Sequence, residues 1–460
     1  MELPISLVPL TDAAKLQWGE PAYSWAIMNR WPSDVPPPML SEPSPVAMLT
    51  WAKSCHWRVL NLRNALRSEW EGLGPEEMHE LGYVLDWLVA SLIARENVLL
   101  LGGPGVAKTE IALRTFQILG LSQAEPNDAL LKDSLESAES PRTWWLEREK
   151  EERKHQKYFH YLLSRFSQLE ELFGPVEISL LRKGILVRVN FGLLTGPGVR
   201  AAFLDEIFKA SSSILNALLT LSLERRYFNW GGMVFSDLSM LIGASNEMPG
   251  GFAARTGGIS GRDEDFQTLY AFLDRFPVRL EIPVASGSGT EDVSESNLAK
   301  AFTCAMNREC DAFSYGKHFL DPAQVTTGPK TIDPPNINDI LFLGRCCFPS
   351  RHIADPVRIF SSDNLARFKN AFLHVARALQ TDGTSVADGR ITWTVSPRKL
   401  KALYKIALAH ALVTADNFPS SGIVNGPGKN DLHVFDLMWD SAIARRDLAN
   451  RVNTAIMEYW

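Results

Sequence analysis

One stretch constrains this 460-residue chain more than any other: Asn97-Val98-Leu99-Leu100-Leu101-Gly102-Gly103-Pro104-Gly105-Val106-Ala107-Lys108-Thr109. A short apolar run enters a glycine-rich turn. The turn ends in Lys-Thr and opens into an apolar-periodic segment, Glu110 to Leu119. The order strand, loop, helix is the one a phosphate-binding P-loop requires. Glycines let several backbone N–H groups converge on one anion. The free amides and dipole of the following helix add to that field. The expected cradle therefore runs Gly102, Gly103, Pro104, Gly105, Val106, Ala107, Lys108, Thr109 and Glu110. Lys108 would reach the terminal phosphates and the Thr109 hydroxyl would bind Mg²⁺. The strict pattern asks for glycine before the lysine, and Ala107 stands there instead.

The chain is long enough for two or three domains, and with 45% hydrophobic and 22% charged residues it reads as globular. A net charge of −6 gives no general attraction to nucleic acid. Met1 to Trp18 has no basic region followed by an apolar core, so no signal peptide is visible, and a cytoplasmic location is expected. Tyr83 to Ala94, the most apolar helical stretch, is interrupted by Asp86 and too short to span a bilayer, so no membrane insertion is expected. The five cysteines (Cys55, Cys304, Cys310, Cys346, Cys347) show no C-x-x-C spacing and read as buried free thiols.

Residues 1 to 46 read as an N-terminal extension and stiff linker, tryptophan-rich and then proline-rich from Pro32 to Pro45. Residues 47 to 95 read as helices, the second starting at Pro75-Glu76-Glu77. The mixed-sign run Glu147 to Lys154 reads as a solvated helix with i,i+4 pairs, anchored by Trp144 and Trp145. Tyr158 to Leu163 is β-prone, and Ile185 to Val189 looks like an edge strand of a hairpin. Pro249 to Asp265 reads as a mobile loop and Ser286-Gly287-Ser288-Gly289-Thr290 as a linker, which puts the main domain boundary near residue 285. The remainder, 286 to 460, reads as mostly helical.

Two further strands carry chemistry. Ala201 to Glu206 reads as a buried strand that delivers two carboxylates at its C-terminal end, where open α/β sheets bind ligands. Asp205 would hold the Mg²⁺ shell and Glu206 would polarise an attacking water. Ser239 to Asn246 is a third apolar strand, and the Asn246 amide can hold a water and a phosphate oxygen at once. Ser396-Pro397 is a clean helix start that places Arg398 in the first turn, against the helix dipole, a placement that makes sense if the arginine serves a phosphate.

These motifs, with Phe173-Gly174-Pro175, Phe203 to Ala210, Ile214 to Thr220, Glu224-Arg225-Arg226, Ala244 to Pro249 and Leu273-Asp274-Arg275-Phe276, resemble the MoxR family of AAA+ ATPases, closest to the RavA type. The likeness is strong over 56 to 285 and weak over 390 to 450. An alanine before the loop lysine is usual in MoxR proteins. The resemblance implies an α/β P-loop NTPase core over 47–285, followed by an all-helical lid domain over 286–460. It implies a homo-hexamer that hydrolyses ATP with Mg²⁺ at sites between subunits. In it, Asp205 and Glu206 look like Walker B, Asn246 like sensor 1 and Arg398 like sensor 2. Arg275 is the first choice for an arginine finger and Arg279 the second. Phe173 to Asn190 resembles the insert that faces the ring pore. A von Willebrand factor A-domain (vWA) protein is the partner the family implies. Leu223 departs from the usual Asn before Glu-Arg-Arg.

The leading expectation is ATP-driven remodelling or chaperone-like activation of a protein partner. Two alternatives stand beside it: a nucleic-acid-linked defence or restriction NTPase motor, with Arg182, Lys183 and Arg188 available for phosphates, and a scaffold that ATP binding assembles.

Overall fold

The computed structural model describes residues 45–68, 75–125, 141–246, 271–282, 362–381, 396–415, 427–438 and 445–460, with positions 337, 340, 341, 343 and 344. The expected N-terminal extension as far as residue 44, the loop at 250 to 265 and the linker at 286 to 290 lie outside these residues, as do Cys304, Cys310, Cys346 and Cys347.

The centre is a six-stranded, all-parallel sheet. Its strands are β1 (Val98–Leu101), β2 (Ser122–Gln123), β3 (Lys157–Leu162), β4 (Val199–Asp205), β7 (Met240–Ser245) and β8 (Val278–Glu281), in the spatial order β2-β3-β4-β7-β1-β8. A separate antiparallel hairpin joins β5 (Arg226–Asn229) to β6 (Gly232–Phe235). Because strand side chains alternate, the inner strands feed two cores. Val98, Leu100, Ala201, Phe203 and Ile242 face one, and Leu99, Leu101, Ala202, Leu204 and Leu241 face the other. A parallel sheet covered on both faces needs such continuous apolar strands.

The first core is closed by α1 (Pro45–Ser68), α2 (Pro75–Ala94), α3 (Lys108–Ile118) and the C-terminal helices α8 (Ser362–Thr381), α9 (Pro397–Val413) and α10 (Arg445–Tyr459). Asp86, the acid that interrupts the apolar run of α2, is buried and gripped by two arginines of α1: Arg63 Nε and Arg67 Nη2, each at 2.7 Å. The C-terminal region docks on α2 through α9. His410 stacks on Trp87 at 3.8 Å between ring centroids, and Lys405 pairs with Glu96. Ser396 caps α9 as expected, accepting from Lys399 N, with Pro397 in the first turn.

The second core is closed by α5 (Leu169–Phe173) and α7 (Ser212–Glu224). The charge run forms α4 (Pro141–Glu152), with i,i+4 pairs Arg148–Glu152 at 2.7 Å and Glu149–Arg153 at 3.3 Å. Trp145 anchors it, buried edge-on against Phe191 and Trp230. Residues 185 to 189 do not form the expected edge strand. Only an isolated bridge, Val176 to Arg188, joins this segment, after the short helix α6 (Ile178–Leu181). Two backbone bonds make that bridge, Glu177 N to Val187 O at 2.8 Å and Val189 N to Pro175 O at 2.9 Å, and beyond it Arg188 N donates to Asn229 Oδ1 at 2.8 Å and Arg188 Nη1 to Gly174 O at 3.0 Å. Gly174 itself is obligatory. At φ +88 a Cβ there would lie 1.9 Å from Val189 O.

Candidate active site

The strand order decides the site. β7 lies between β4 and β1, so whatever leaves the C-terminal end of β7 stands between the acids of β4 and the loop after β1. Asn246 is that residue. Its Oδ1 accepts from Lys108 Nζ at 2.7 Å, and its Nδ2 donates to Glu206 Oε1. One amide therefore bridges the loop lysine and the candidate base.

The loop leaves β1 at Gly102 and turns through Pro104 and Gly105, which are exposed, with Gly105 at φ +79. Ala107 occupies the left-handed region at φ 61, ψ 22, and caps α3 without a side-chain bond. That conformation costs an L-residue roughly 1–2 kcal/mol, which is why the strict motif uses glycine there. Lys108, 7% exposed, folds back to donate to Gly102 O at 2.8 Å and Gly103 O at 2.7 Å. Burial lowers its basicity, and the charges of Asp205 and Glu206 partly oppose that. Val106 packs against the first core and Glu110 lies in the first turn of α3.

Thr109 Oγ1 donates to Asp205 Oδ2 at 3.1 Å. Asp205 Oδ1 accepts from Glu206 N at 2.9 Å, which leaves the carboxylate facing the start of α3. A hydroxyl and a carboxylate at a helix start suit Mg²⁺, a hard cation that takes oxygen donors and completes its shell with water and substrate phosphates. Glu206 sits in the left-handed region at φ 51, a strained turn for a non-glycine residue that aims its carboxylate away from the strand. Lys209 Nζ lies 3.3 Å from its Oε2. Sequence reasoning missed Lys209, although an i+3 position in the 3₁₀ turn Ile207–Lys209 was a usable signal. It also missed His160, on the neighbouring strand β3. Burial lowers the basicity of His160, and the Asp205 charge opposes that.

The two remaining expected residues stand elsewhere. Arg275 precedes β8, and its carbonyl accepts from Asn97 Nδ2 at 2.8 Å, at the N-terminal end of β1. At about 3.3 Å per residue, five residues of chain separate Asn97 from Gly102 by roughly 16 Å. Arg398 starts α9, two turns before the Lys405–Glu96 pair, and Glu96 is likewise at the N-terminal end of β1. Burial, then the nearby charge of Arg398, lowers the basicity of Arg275, with Asp274 opposing. The backbone of Arg275 thus stands at the end of the sheet away from Lys108, within range of the Arg398 charge. Arg279 is buried at 2% exposure, donating to Met438 O at 2.7 Å, so it is not presented at the surface. Of the basic residues raised for nucleic acid, Arg182 and Lys183 are exposed, whereas Arg188 is engaged with Gly174. No described helix is long and apolar enough to cross a membrane.

Residues 146–309 match the family model described as the MoxR domain in the MoxR-vWA-beta-propeller ternary systems. The match takes in Asp205, Glu206, Asn246 and Arg275 and begins beyond the loop at 102 to 109. Two uncharacterized proteins of Methanocaldococcus jannaschii are each 34% identical over 196 residues, 42% of this chain. The chain spans only 39% and 38% of their lengths. A solved structure from Cytophaga hutchinsonii that bears a provisional ATPase name aligns over 88% of this chain and 97% of its own, at 14% identity and a TM-score of 0.46.

Proposed function

We propose that this chain, which carries a MoxR-family AAA+ ATPase domain, hydrolyses ATP with Mg²⁺ as a ring of identical subunits and uses the cycle to remodel a protein partner. The observation that carries the reading is the convergence of Lys108, Thr109, Asp205, Asn246 and Glu206 at one edge of the sheet. The loop amides and Lys108 would hold the phosphates. Thr109 and Asp205 would hold Mg²⁺, which when bound neutralises phosphate charge. Asn246 would keep an attacking water beside Glu206, and Glu206 would take its proton.

The proposed domains follow the chain: an N-terminal extension to residue 46, an α/β nucleotide-binding domain over 47–285 and a helical lid over 286–460. Arg398 keeps the proposed part of sensor 2 on the lid. The backbone of Arg275 lies at the end of β1 away from the loop, which supports a role at a neighbouring subunit's nucleotide. There an arginine finger is worth about 10³ to 10⁵ in rate. Six subunits are the expected number. The partner proposed is a vWA protein, a reading supported by the ternary systems after which the matching family model is named. Ile178, Leu181 and Ile185 are exposed on the insert proposed to face the pore.

Purified protein tests this directly. Lys108→Ala should lose nucleotide binding, and Arg275→Ala should keep binding and stop turnover. Unchanged ATP affinity in Lys108→Ala would remove the loop assignment. Stimulation of turnover by a vWA protein supports the remodeller; stimulation by DNA alone would replace it with the nucleic-acid motor.

A further inference from the structure

We infer that Asn97 is a positioning residue for Arg275, through a buried node that it forms with Arg225; this rests on the proposed action of Arg275 at a neighbour's nucleotide. Asn97 is 4% exposed and lies immediately before β1. All of its amide is used. Nδ2 donates to Arg275 O at 2.8 Å and to Ser222 O at 3.0 Å, and Oδ1 accepts from Arg225 Nη2 at 2.7 Å. Two segments remote from it in sequence meet on this one side chain: the C-terminal end of α7, where the chain enters the β5–β6 hairpin, and the turn that carries the finger.

Each connection is specific. Ser222 O belongs to the last turn of a helix, where carbonyls lack intrahelical partners. Arg225 is 8% exposed and ends α7 in the left-handed region at φ 56, and its carbonyl accepts from Ser236 N at 2.8 Å beyond the hairpin. The turn of Arg275 is closed by its own short bonds, Arg275 N to Phe272 O and Phe276 N to Leu273 O, and seated on the sheet by Phe272, Leu273 and Phe276, which are buried in the second core. Those contacts hold the residues on either side of Arg275. The bond from Asn97 ties the carbonyl of the finger residue itself to the foot of the strand whose other end is the phosphate loop. A misplacement of about 1 Å in a group that must meet a transition state can cost on the order of 10²-fold in rate.

The test uses full-length protein. Asn97→Asp keeps the size of the side chain and the acceptor for Arg225 but loses both donations, and Asn97→Ala removes the whole node. If the alanine variant fails to fold, the aspartate variant decides. A subunit that lacks only a working finger keeps its own nucleotide site. Its turnover is therefore restored by neighbours that carry Glu206→Gln, which cannot hydrolyse but still present Arg275. Asn97→Asp should bind ATP with unchanged affinity and turn over roughly 10- to 100-fold more slowly. It should recover when mixed with Glu206→Gln subunits, as Arg275→Ala does. Parent-like turnover would overturn the inference. So would a loss that mixing leaves unrestored while Arg275→Ala is restored. If Arg275→Ala is not restored either, the action of Arg275 on a neighbour fails first, and the role of Asn97 with it.

Discussion

Asn246 offers the sharpest perturbation, because its two ends do different things. The Oδ1 end is matched to Lys108 and the Nδ2 end to Glu206. Asn246→Ala removes both, and a hydrogen bond to a charged group is worth about 1.5–3 kcal/mol. Loss of the one that orients the water should lower kcat on the order of 10- to 100-fold. ATP affinity should change little, since Lys108 keeps the loop and the phosphates. Asn246→Asp is more informative. It keeps the acceptor for Lys108 and places a second carboxylate against Glu206. At about 4 Å and an effective dielectric near 20, two like charges repel by about 4 kcal/mol. At roughly 1.4 kcal/mol per unit that is ~3 pH units, and the Lys108 and Lys209 charges offset part of it. The acid limb of the kcat profile should therefore move to higher pH by about one to three units, so that turnover at neutral pH is suppressed and partly returns in alkali. The assay is steady-state phosphate release across pH for the parent and both variants. An Asn246→Asp profile superimposable on the parent's, or an Asn246→Ala enzyme at full rate, would refute the bridge as a working part of the site.

Three further outcomes follow from the packing. Trp145→Ala should cost about 3–5 kcal/mol in chemical denaturation, because the indole is fully buried between Phe191 and Trp230 and donates from Nε1 to Glu149 at 2.8 Å; a change below 1 kcal/mol would mean α4 is not held there. His56 is buried with Nε2 2.7 Å from Leu412 O, and burial lowers its basicity below the ordinary 6.5, with that backbone bond opposing. The unfolded chain then takes up a proton that the folded chain refuses, so stability is intact above about pH 6.5 and falls as pH drops through that value towards the lowered one; His56→Gln should flatten this part of the melting-temperature profile. Lys108 is also depressed, so ATP affinity should begin to fall below the pH at which an ordinary lysine, at 10.5, would lose its charge; an affinity flat up to that value would contradict the buried setting.

What the sequence made legible was local. The loop after β1, the acids after β4 and the amide after β7 each follow a short apolar run, and a parallel sheet brings the ends of such runs to one edge. Lys108, Thr109, Asp205, Glu206 and Asn246 could therefore be chosen one strand at a time. The order of the strands, and with it the place of Asn246 between lysine and glutamate, is a tertiary fact. The sequence singled out Arg275 and Arg398 one at a time, but not the influence of the Arg398 charge on Arg275. That influence requires α9 to dock along α2, which it does through Trp87, His410 and the Lys405–Glu96 pair. No local pattern encodes that docking. The strand expected at 185 to 189 failed for a related reason. Its residues alternate well enough, but the backbone of Arg188 is satisfied by the side chain of Asn229 rather than by a ladder.

The measurement closest to the centre of this account is ATP binding and single-turnover hydrolysis by Glu206→Gln. The substitution keeps the size of the side chain and an acceptor for Asn246 while removing the base. ATP should bind as tightly as to the parent and remain intact on the protein over many parent turnover times. Hydrolysis at the parent's rate would show that the base is some other group, and the acids at the end of β4 would lose their assigned part.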